Sequence, residues 1–527
     1  MRRLLLIAAC VGLAYAWAQE PEPSEEHSVD GAPQHRVTKA GFPGPRLMPG
    51  SPALPFNLPK TETPPMHWHG YQDAPDFMPA GYAVDAPPDI LKGLRWIEHP
   101  EGGFVAAVEL RSEGAKALRV RFKGDMGRNG EVVRVYDPVG GYSFGPYTLP
   151  IMNEDQTWWT TIIFGDQIGL EFYLPPGATP AGLPPIDGIN YFFAGPDWDK
   201  AFEDAGIQGC THRDVACEAS WRDTEARAVC MLATLSGNNV SGFCSGGTLN
   251  RSPSDLAPIV MTANHCIGTQ GSANNTTFVW NFQNTTCNGT PPAANSCPRS
   301  VGAILLKRHS GSDWNLLGSY EQVAASWYMG WTSSGSWSGG SSAFGIHHPG
   351  GTFKRFSSGS LLQADNDRCF CPAGVTTCDT NQGCFLADVW SVSYNVGFTA
   401  PGSSGSPLMD GNRQVRGTLT GGPNDCATSR YGRLSEAYVN VQYYLFNMAN
   451  PTYVVQGAGT DGGNNNGSSE RGTSANPFNT VYEATFCVPG GGSVNITPAN
   501  YNERFTLWRP MTLRRQGSSG IVRIGSN

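Results

Sequence analysis

The distribution of cysteines is the feature that most limits how this chain can fold. The sequence contains 14 cysteines in 527 residues, and twelve of them lie between Cys210 and Cys426. Cys10 lies near the N-terminus and Cys487 stands alone near the C-terminus. An even number of cysteines packed into one region of an exported chain is typical of a disulfide framework, whereas a cytosolic chain would use such a cluster for metal. We therefore expect a disulfide-bonded domain between these cysteines.

The first residues predict export. A basic start is followed by an apolar run over residues 4–16 and by Ala16-Trp17-Ala18, which together make a secretory signal peptide of residues 1–18. The run is too short to span a bilayer, and no later segment offers about 18 consecutive apolar residues. We expect a secreted, extracellular protein with no membrane partner. A lipoprotein signal ending at Cys10 is the weaker alternative, because the apolar core before it would be unusually brief.

Composition favours a β-rich protein of about three domains. The 65 glycines, 40 prolines and only 15% charged residues indicate many turns between short segments rather than long helices. The formal net charge of −8 and a sequence pI near 5.7 argue against a nucleic-acid partner, because such binding requires a basic surface.

The chain divides by composition into segments. Short β-branched and aromatic runs after the Pro-rich lead predict a β-sandwich-like domain, and four short strands at the C-terminus predict a β-solenoid-like module. The predicted segments are the signal peptide (1–18), a disordered Pro-rich lead (19–80), a β-rich domain (81–205), the cysteine-rich domain (206–450), a Gly/Asn/Ser linker (451–474) and the C-terminal β-helix-like module (475–527).

Three separated motifs in the cysteine-rich domain carry the parts that acyl transfer requires. His265 follows a buried-strand run, Asp313 begins another apolar segment, and Ser404 lies in a tight turn between Gly402 and Gly405. In this arrangement Ser404 would attack a carbonyl, His265 would transfer the proton, and Asp313 would orient the histidine. The backbone N–H groups of Gly402 and Ser404 would form the oxyanion hole, worth about 3 kcal/mol per donor in comparable enzymes.

The order of these residues discriminates among hydrolase folds. Histidine, aspartate and serine follow one another along the chain, whereas α/β-hydrolases place the serine first and subtilisins place the aspartate first. Each motif alone has an ordinary structural reading as a core histidine, a strand cap or a glycine turn. Their combination in one exported, cysteine-rich domain favours the catalytic interpretation, and an α/β-hydrolase esterase is excluded by the order and by the lack of a βαβ pattern.

Further motifs resemble a known family. They are residues 280–287 (WNFQNTTC), residues 345–349 (GIHHP), residues 354–357 (KRFS), residues 402–407 (GSSGSP), residues 421–423 (GGP) and residues 431–433 (YGR). From about Gly206 to Arg433 the chain resembles the trypsin-fold peptidases and, among them, the bacterial lysyl endopeptidases. The resemblance implies an all-β fold with two Greek-key β-barrels of the chymotrypsin type, and a propeptide over residues 19 to about 205. It also implies the disulfides Cys210–Cys426, Cys217–Cys287 and Cys244–Cys266.

The resemblance weakens at the residues that set lysine preference. The family has a histidine where this chain has Thr420, immediately before Gly421 and Gly422, and an aspartate where this chain has Ser429. A buried ammonium group without a carboxylate partner is costly, so we do not expect lysine preference. Asp425 is a candidate replacement, although a one-residue shift of the alignment would leave it on the surface.

The sequence alone does not decide the roles of several cysteines and histidines. Six cysteines could form three further bridges of undetermined connectivity, or four of them could hold zinc: Cys230, Cys297, Cys369, Cys371, Cys378 and Cys384. Secretion favours bridges, and the insertion that holds the last four is expected near the substrate cleft. Cys487 is either a buried apolar residue or an intermolecular crosslink. His347 and His348 favour structural roles, and His67 and His69 favour solvated positions.

The sequence thus predicts a secreted serine endopeptidase, made as a preproenzyme, with the triad His265, Asp313 and Ser404. We expect protein or peptide substrates, the propeptide as an internal partner, and no metal or organic cofactor. The C-terminal module is a candidate for contact with a cell surface or polysaccharide. The alternative is a catalytically inactive binding or adhesion protein built on a peptidase scaffold, which the altered specificity residues and the flanking β-modules motivate.

Overall fold

The structure is a computed structural model in which most described residues lie in strands. It describes residues 25–26, 43–44, 46–62, 74–75, 78–126, 130–147, 153, 155–178, 183–196, 210–236, 239–251, 255–371, 384–423, 425–446, 451–455, 470–503, 505 and 507–525. The α-helices in these ranges are short, namely α1 (Ala219–Arg222), α2 (Gln270–Asn274), α3 (Leu434–Leu445) and α4 (Val481–Cys487).

Most strands of the N-terminal half form two packed sheets. Its strands are β1 (Glu25–Glu26), β2 (Ala53–Asn57), β3 (Ala74–Pro75), β4 (Met78–Asp85), β5 (Ile97–Glu98), β6 (Phe104–Arg111), β7 (Ala117–Lys123), β8 (Val132–Tyr136), β9 (Ser143–Tyr147), β10 (Thr157–Trp159), β11 (Ile163–Phe164), β12 (Gln167–Leu174) and β13 (Ile186–Phe192). One sheet has the order β2-β6-β12-β8-β9, with β5 on β6, and the other begins β10-β7-β13-β4, with β11 on β7.

Apolar side chains from the two sheets meet in a common core. Phe122 of β7 stacks on Trp158 of β10 at a centroid distance of 4.6 Å and meets Phe172 of β12, in the other sheet, edge-on at 6.2 Å. Each large apolar side chain buried in this way contributes about 1.5–3 kcal/mol. The β-sandwich-like architecture predicted for residues 81–205 is therefore present. It begins earlier than predicted, because β2 of the lead that we expected to be disordered pairs in parallel with β6.

The first barrel of the cysteine-rich half continues the second N-terminal sheet. Its strands are β15 (Val229–Leu235), β16 (Val240–Thr248), β17 (Ile259–Ala263), β18 (Thr277–Trp280), β19 (Arg299–Val301), β20 (Ala303–His309) and β21 (Trp314–Ser319). Two short strands flank them, namely β14 (Arg213–Asp214), which joins the sheet of the second barrel, and β22 (Trp327–Tyr328), which pairs with β1. Strand β4 pairs antiparallel with β16, which also pairs with β15 and β17. The sheet therefore runs from the N-terminal half into this barrel without a break.

The second barrel is a closed ring of six strands. The strands that form it are β23 (Ser342–His347), β24 (Arg355–Phe370), β25 (Phe385–Val396), β26 (Pro407–Asp410), β27 (Val415–Gly422) and β28 (Thr428–Arg433). The order β24-β23-β26-β27-β28-β25 closes through antiparallel pairing of β25 with β24. Consecutive strands β25 and β26 are not neighbours, which is the Greek-key feature that the resemblance implies.

The C-terminal tail is a small parallel stack docked on the first barrel. Its strands are β29 (Thr452–Val454), β30 (Ser493–Ile496), β31 (Asn500–Tyr501), β32 (Thr512–Arg515) and β33 (Arg523–Ile524). Strands β29, β30 and β32 pair in parallel, in agreement with the predicted solenoid-like tail. Helix α4 is buried at every position and shares a core with Trp314 and Leu316 of β21. The tail therefore completes the barrel's packing.

Candidate functional site

His265 is held at the end of a buried strand of the first barrel. Strand β17 is buried at all five positions, and the chain turns immediately after it. Cys266, the next residue, forms a disulfide with Cys244 on β16, which fixes this turn to the neighbouring strand. The backbone N–H of Asn264 donates to the Asp313 carbonyl at 3.0 Å. These contacts set the direction of the imidazole ring.

Asp313 approaches His265 from the start of the paired strand β21. Its backbone lies in the left-handed region (φ 51°, ψ 40°), a conformation that aspartate tolerates better than most side chains. The side chain is buried, with Oδ2 lying 2.7 Å from His265 Nδ1 and Oδ1 accepting from the His265 backbone N–H at 2.9 Å. The carboxylate therefore orients both the ring and the backbone of His265.

Ser404 completes the arrangement from the second barrel. Its Oγ lies 2.7 Å from His265 Nε2, on the ring nitrogen opposite Asp313. Its carbonyl accepts from Ser245 N–H at 2.6 Å, so the serine loop is tied to the first barrel. All three residues predicted as a triad thus form one hydrogen-bonded chain across the cleft between the barrels.

The loop before Ser404 leaves two backbone N–H groups available beside its hydroxyl. Gly402 has φ +96°, and a Cβ at this position would lie 2.8 Å from the Gly350 nitrogen, so only glycine fits without strain. Within the described part of the chain, neither Gly402 N–H nor Ser404 N–H donates to a protein acceptor. Both donors can therefore receive a developing oxyanion.

A buried histidine supports this loop from behind. His347 Nδ1 lies 2.8 Å from Ser403 Oγ, and its Nε2 lies 3.0 Å from Ser357 Oγ. The same Ser403 Oγ accepts from Ala400 N–H at 3.2 Å. Burial, followed by the nearby charge of Arg355, lowers the pKa of His347 to about 3, so the ring stays neutral at ordinary pH. His347 therefore has the structural role expected for it, because its ring lies behind the serine loop and contacts Ser403.

The predicted specificity residues fall into two groups. Thr420, Gly421 and Gly422 lie at the end of β27, and Ser429 lies on the neighbouring strand β28. Ser429 Oγ makes a 2.7 Å hydrogen bond with Thr399 Oγ1. The sequence reasoning missed Thr399, whose only signal is its position five residues before Ser404. Hydroxyl groups therefore occupy the side of the cleft where the resemblance would place a carboxylate.

Asp425 is not part of this pocket but lies on the surface, which was the alternative to its replacing the missing carboxylate. The residue is exposed, and its Oδ1 accepts from Ala427 N–H at 2.8 Å and from Thr428 N–H. An aspartate that accepts from the backbone two and three residues ahead stabilises a local turn. Its carboxylate is thus committed to the turn between β27 and β28.

Comparison with known proteins agrees with this architecture. The family model described as lysyl endopeptidase, C-terminal domain, matches residues 205–439, and the model described as lysyl endopeptidase N-terminal domain matches residues 82–184. The chain is a lysyl endopeptidase-like peptidase of the trypsin type. The lysyl endopeptidase of Pseudomonas aeruginosa is 28% identical to this peptidase over 358 residues, covering 65% of this chain and 74% of that protein.

Solved structures with a similar shape include two further proteins. They are a protease from M. tuberculosis in its active form (18% identity, 44% of this chain and 87% of that chain, TM-score 0.31) and Deg5 (14% identity, 44% and 95%, TM-score 0.30).

The peptidase contains the three disulfides that the resemblance implies. Cys210 is bonded to Cys426, Cys217 to Cys287 and Cys244 to Cys266. A fourth disulfide joins Cys369 to Cys384, and Cys371 is also disulfide-bonded. These bonds exclude the alternative of a four-thiolate zinc site in this insertion. Cys378 lies outside the described residues.

Cys230 and Cys297 are free thiols, so the expectation that they would join further bridges is wrong. The reason is the alternation of strand β15. Cys230 faces the interior of the first barrel, whereas its neighbour Met231 faces the second cluster, in which Cys297 packs. The two thiols therefore lie in separate apolar clusters. Cys487 is likewise a buried free thiol. Of its two alternatives, the structure therefore supports a buried apolar residue and not an intermolecular crosslink.

The cysteine insertion borders the candidate triad, as expected from its place in the sequence. Strands β24 and β25 extend as a long hairpin towards the Cys369–Cys384 disulfide. Phe385, the first residue of β25, stacks beside His265 at a centroid distance of 6.4 Å and packs on Phe370 at 5.3 Å. The hairpin thus supplies an aromatic wall next to the histidine, which sequence reasoning did not assign.

Some sequence expectations lie outside the described residues. They concern the signal peptide, most of the Pro-rich lead with His67 and His69, and most of the linker after residue 455. Among the helices in the described ranges, none has both the length and the apolar character needed to cross a bilayer.

Proposed function

We propose that this peptidase is a serine endopeptidase that cleaves protein or peptide chains through an acyl-enzyme on Ser404. The observation that carries the proposal is the unbroken chain of contacts from Ser404 Oγ to His265 Nε2 and from His265 Nδ1 to Asp313 Oδ2, each 2.7 Å. Nucleophile, base and orienting carboxylate are within hydrogen-bond reach in the order that acyl transfer requires. No metal or organic cofactor has a part in this chemistry.

In the proposed reaction, His265 Nε2 accepts the proton as Ser404 Oγ attacks the scissile carbonyl carbon. The N–H groups of Gly402 and Ser404 stabilise the resulting oxyanion, and Asp313 stabilises the imidazolium. His265 then donates the proton to the leaving amine, whose departure forms the acyl-enzyme. A water molecule, deprotonated by His265, attacks the ester carbonyl, and the proton returns to Ser404 Oγ when the product acid leaves.

Secretion and synthesis as a preproenzyme are part of the proposal. Residues 1–18 have the pattern of a signal peptide, and the disulfide-bonded second half suits an oxidising compartment. The N-terminal sandwich would be the propeptide domain, removed by cleavage near residues 200–206. The boundary between the Gly/Asn/Ser linker and the domain before it would lie after β29, because β29 pairs with β30 of the C-terminal β-helix-like module.

The pocket residues support a preference other than lysine. Thr399, Thr420 and Ser429 carry hydroxyl groups, and Asp425 is committed to a surface turn. An ammonium group buried against hydroxyl groups alone would lose its hydration without gaining a charge partner, which costs several kcal/mol. We therefore propose that the residue before the scissile bond is uncharged.

The test of this function is cleavage of a mixed peptide library by the purified, processed chain, with products read by mass spectrometry. We expect cuts within the peptides, with an uncharged residue before the cut at least ten times as often as lysine. Complete absence of cleavage by a fully processed chain would count against the endopeptidase and in favour of the inactive scaffold. Cuts concentrated after lysine would refute only the pocket interpretation.

A matched pair of variants tests the pocket directly. Ser429→Asp supplies a carboxylate where the resemblance has one, and we expect kcat/KM for lysine substrates to rise about 10-fold to 100-fold, the usual range for a charge-assisted contact. Ser429→Asn has nearly the same size without the charge and should leave lysine substrates poor. Equal behaviour of the two variants would place Ser429 away from the bound side chain.

His347 is proposed as a positioning residue for the serine loop. In His347→Gln the contact to Ser403 Oγ is lost or shifted, so the flanking N–H groups of the oxyanion hole should move. We expect kcat to fall about 10-fold to 100-fold, somewhat less than the loss of a whole oxyanion donor, with KM changed less than about threefold. The measurement is steady-state kinetics on one peptide substrate.

The pH profile and a double-mutant cycle separate positioning from packing. Because the pKa of His347 is lowered to about 3, its protonation should not contribute to the acid limb above about pH 4, and that limb should be the same in His347→Gln. If His347 acts through Ser403, the losses in His347→Gln and Ser403→Ala should be less than additive. A drop in thermal stability with unchanged kcat would show a packing role alone.

A further inference from the structure

Two short backbone pairings connect the N-terminal half to the cleft that holds Ser404. Strand β3 pairs antiparallel with the end of β27, with Pro75 opposite Gly421 and Ala74 opposite Gly422. The first residues of β4 pair antiparallel with β16, with Met78 opposite Phe243. We call Ala74–Pro75 and Met78, taken together, the cleft segment.

The two pairings lie on opposite sides of Ser404. On one side, Leu419, two residues before Gly421, accepts from Gly405 N–H at 2.8 Å. On the other side, Ser245, two residues after Phe243, donates to the Ser404 carbonyl at 2.6 Å. Pro75 and Met78 are three residue steps apart, a path of at most about 11 Å. The cleft segment therefore contacts both barrels next to the candidate nucleophile.

The strand edge that β3 occupies has room for a single extended chain. At Gly421 the other edge of β27 is already paired with Arg430 of β28, and β26 ends its pairing at Thr418. The free edge at Gly421 and Gly422 is thus filled by β3. A peptide that binds by adding a strand to this edge would need the same backbone groups.

The exposure of the triad agrees with an occupied cleft. In the full chain Ser404 is 0% exposed, Asp313 is 1% exposed and the His265 side chain is 11% exposed. The hydrogen bonds of the triad are nevertheless complete, and Gly402 and Ser404 keep their N–H groups available. Access to the nucleophile is therefore restricted although its geometry is already formed.

We propose that the cleft segment occupies the substrate-binding cleft of the unprocessed chain as an internal competitor. The inference rests on the proposed function and adds how the site is regulated: activation removes a bound strand rather than rebuilding the triad. Because the segment belongs to the same chain and its half is joined to the first barrel through β4, a substrate peptide in solution competes poorly until the N-terminal half has been cut off and released. The partner that fits this surface is thus an extended segment of the same chain.

The first test is a register-specific disulfide in the full chain carrying Ser404→Ala, which prevents self-cleavage. Opposite residues of an antiparallel pair have Cα atoms about 4.5–5.5 Å apart, within the range that a disulfide spans, whereas diagonal neighbours lie about 7–8 Å apart. We expect Pro75→Cys with Gly421→Cys to crosslink in most molecules, because these two residues lie directly opposite each other. The control, Pro75→Cys with Pro423→Cys, is offset by two residues and should crosslink in only a small fraction.

The second test measures binding of a fluorescent substrate peptide, chosen from the library, to two forms of the Ser404→Ala chain. One form is the crosslinked full chain. The other carries no introduced cysteines, has been processed in trans by the active enzyme and has been separated from its N-terminal half. We expect the crosslinked chain to bind the peptide at least tenfold more weakly. Equal crosslinking of the matched and offset pairs, or equal peptide binding by the two forms, would overturn the inference. Failure of the processed, unmutated chain to cleave peptides would instead reject the proposed function, whatever the crosslinks show.

Discussion

Replacing Ser404 with alanine in the processed chain is expected to lower kcat by about 10⁶-fold, the loss seen when the nucleophile of a comparable triad is removed. The reason is that Ser404 Oγ, 2.7 Å from His265 Nε2, is the atom that would form the acyl bond. The remaining oxyanion donors and binding contacts would leave a residual acceleration of about 10³–10⁴ over water. The measurement is the initial rate on a single fluorogenic peptide identified from the library.

Two further variants make this prediction specific. Asp313→Asn keeps the shape of the side chain but favours the wrong histidine tautomer, so we expect a loss of about 10⁴-fold in kcat, smaller than that of Ser404→Ala. Ser338→Ala changes an exposed serine outside the site and should retain full activity. Activity of the Ser404→Ala protein within tenfold of the unmutated chain would refute the nucleophile, provided that mass spectrometry excludes unmutated enzyme.

Replacing Phe486 with alanine is expected to destabilise the chain by about 3–5 kcal/mol, because the ring is fully buried between the tail and the first barrel. Its neighbour Tyr482 donates to the Ser319 carbonyl at 2.6 Å, and Arg509 forms an ion pair with Asp255. A cavity at Phe486 would weaken the packing of the C-terminal tail on the first barrel. The measurement is thermal unfolding in the Ser404→Ala background, where we expect a midpoint lower by roughly 10 °C.

The control for this prediction lies in the same tail. Ile521 is 62% exposed, so Ile521→Ala should change the free energy of unfolding by less than about 0.5 kcal/mol. Truncation of the chain after residue 450 should produce aggregated or unfolded protein, because it uncovers Trp314, Leu316 and the rest of the shared core. A soluble truncated chain with an unchanged midpoint would show that the tail is an independent module.

The parts of the fold and the site that could be inferred from sequence are those that local patterns encode. Alternating or continuous apolar runs of β-branched residues predicted strands, and the cysteine spacing predicted a disulfide-bonded domain. The candidate triad could be proposed because its three residues lie in short motifs whose order along the chain distinguishes hydrolase folds. In each case the information lies within a few neighbouring residues, where backbone preference and strand periodicity act directly.

Other properties depend on which distant strands become neighbours. Cys230 and Cys297 lie in different apolar clusters because successive residues of β15 face opposite sides. Asp425 lies at the surface because its carboxylate stabilises the turn after β27. The same holds for Phe385 beside His265 and for helix α4 against β21. No local pattern specifies such contacts, because a one-residue change of register moves every side chain of a strand to its other face.

The pairing of β3 with Gly421 and Gly422 is the clearest example of this difference. Ala74 and Pro75 belong to a proline-rich stretch that has no strand pattern, so the sequence predicts only an extended lead there. Their strand conformation comes from the open edge of β27, to which an extended backbone can add regardless of its side chains. The sequence therefore specifies the reactive residues and the strand-forming segments, whereas access to Ser404 follows from backbone pairing between segments more than 300 residues apart.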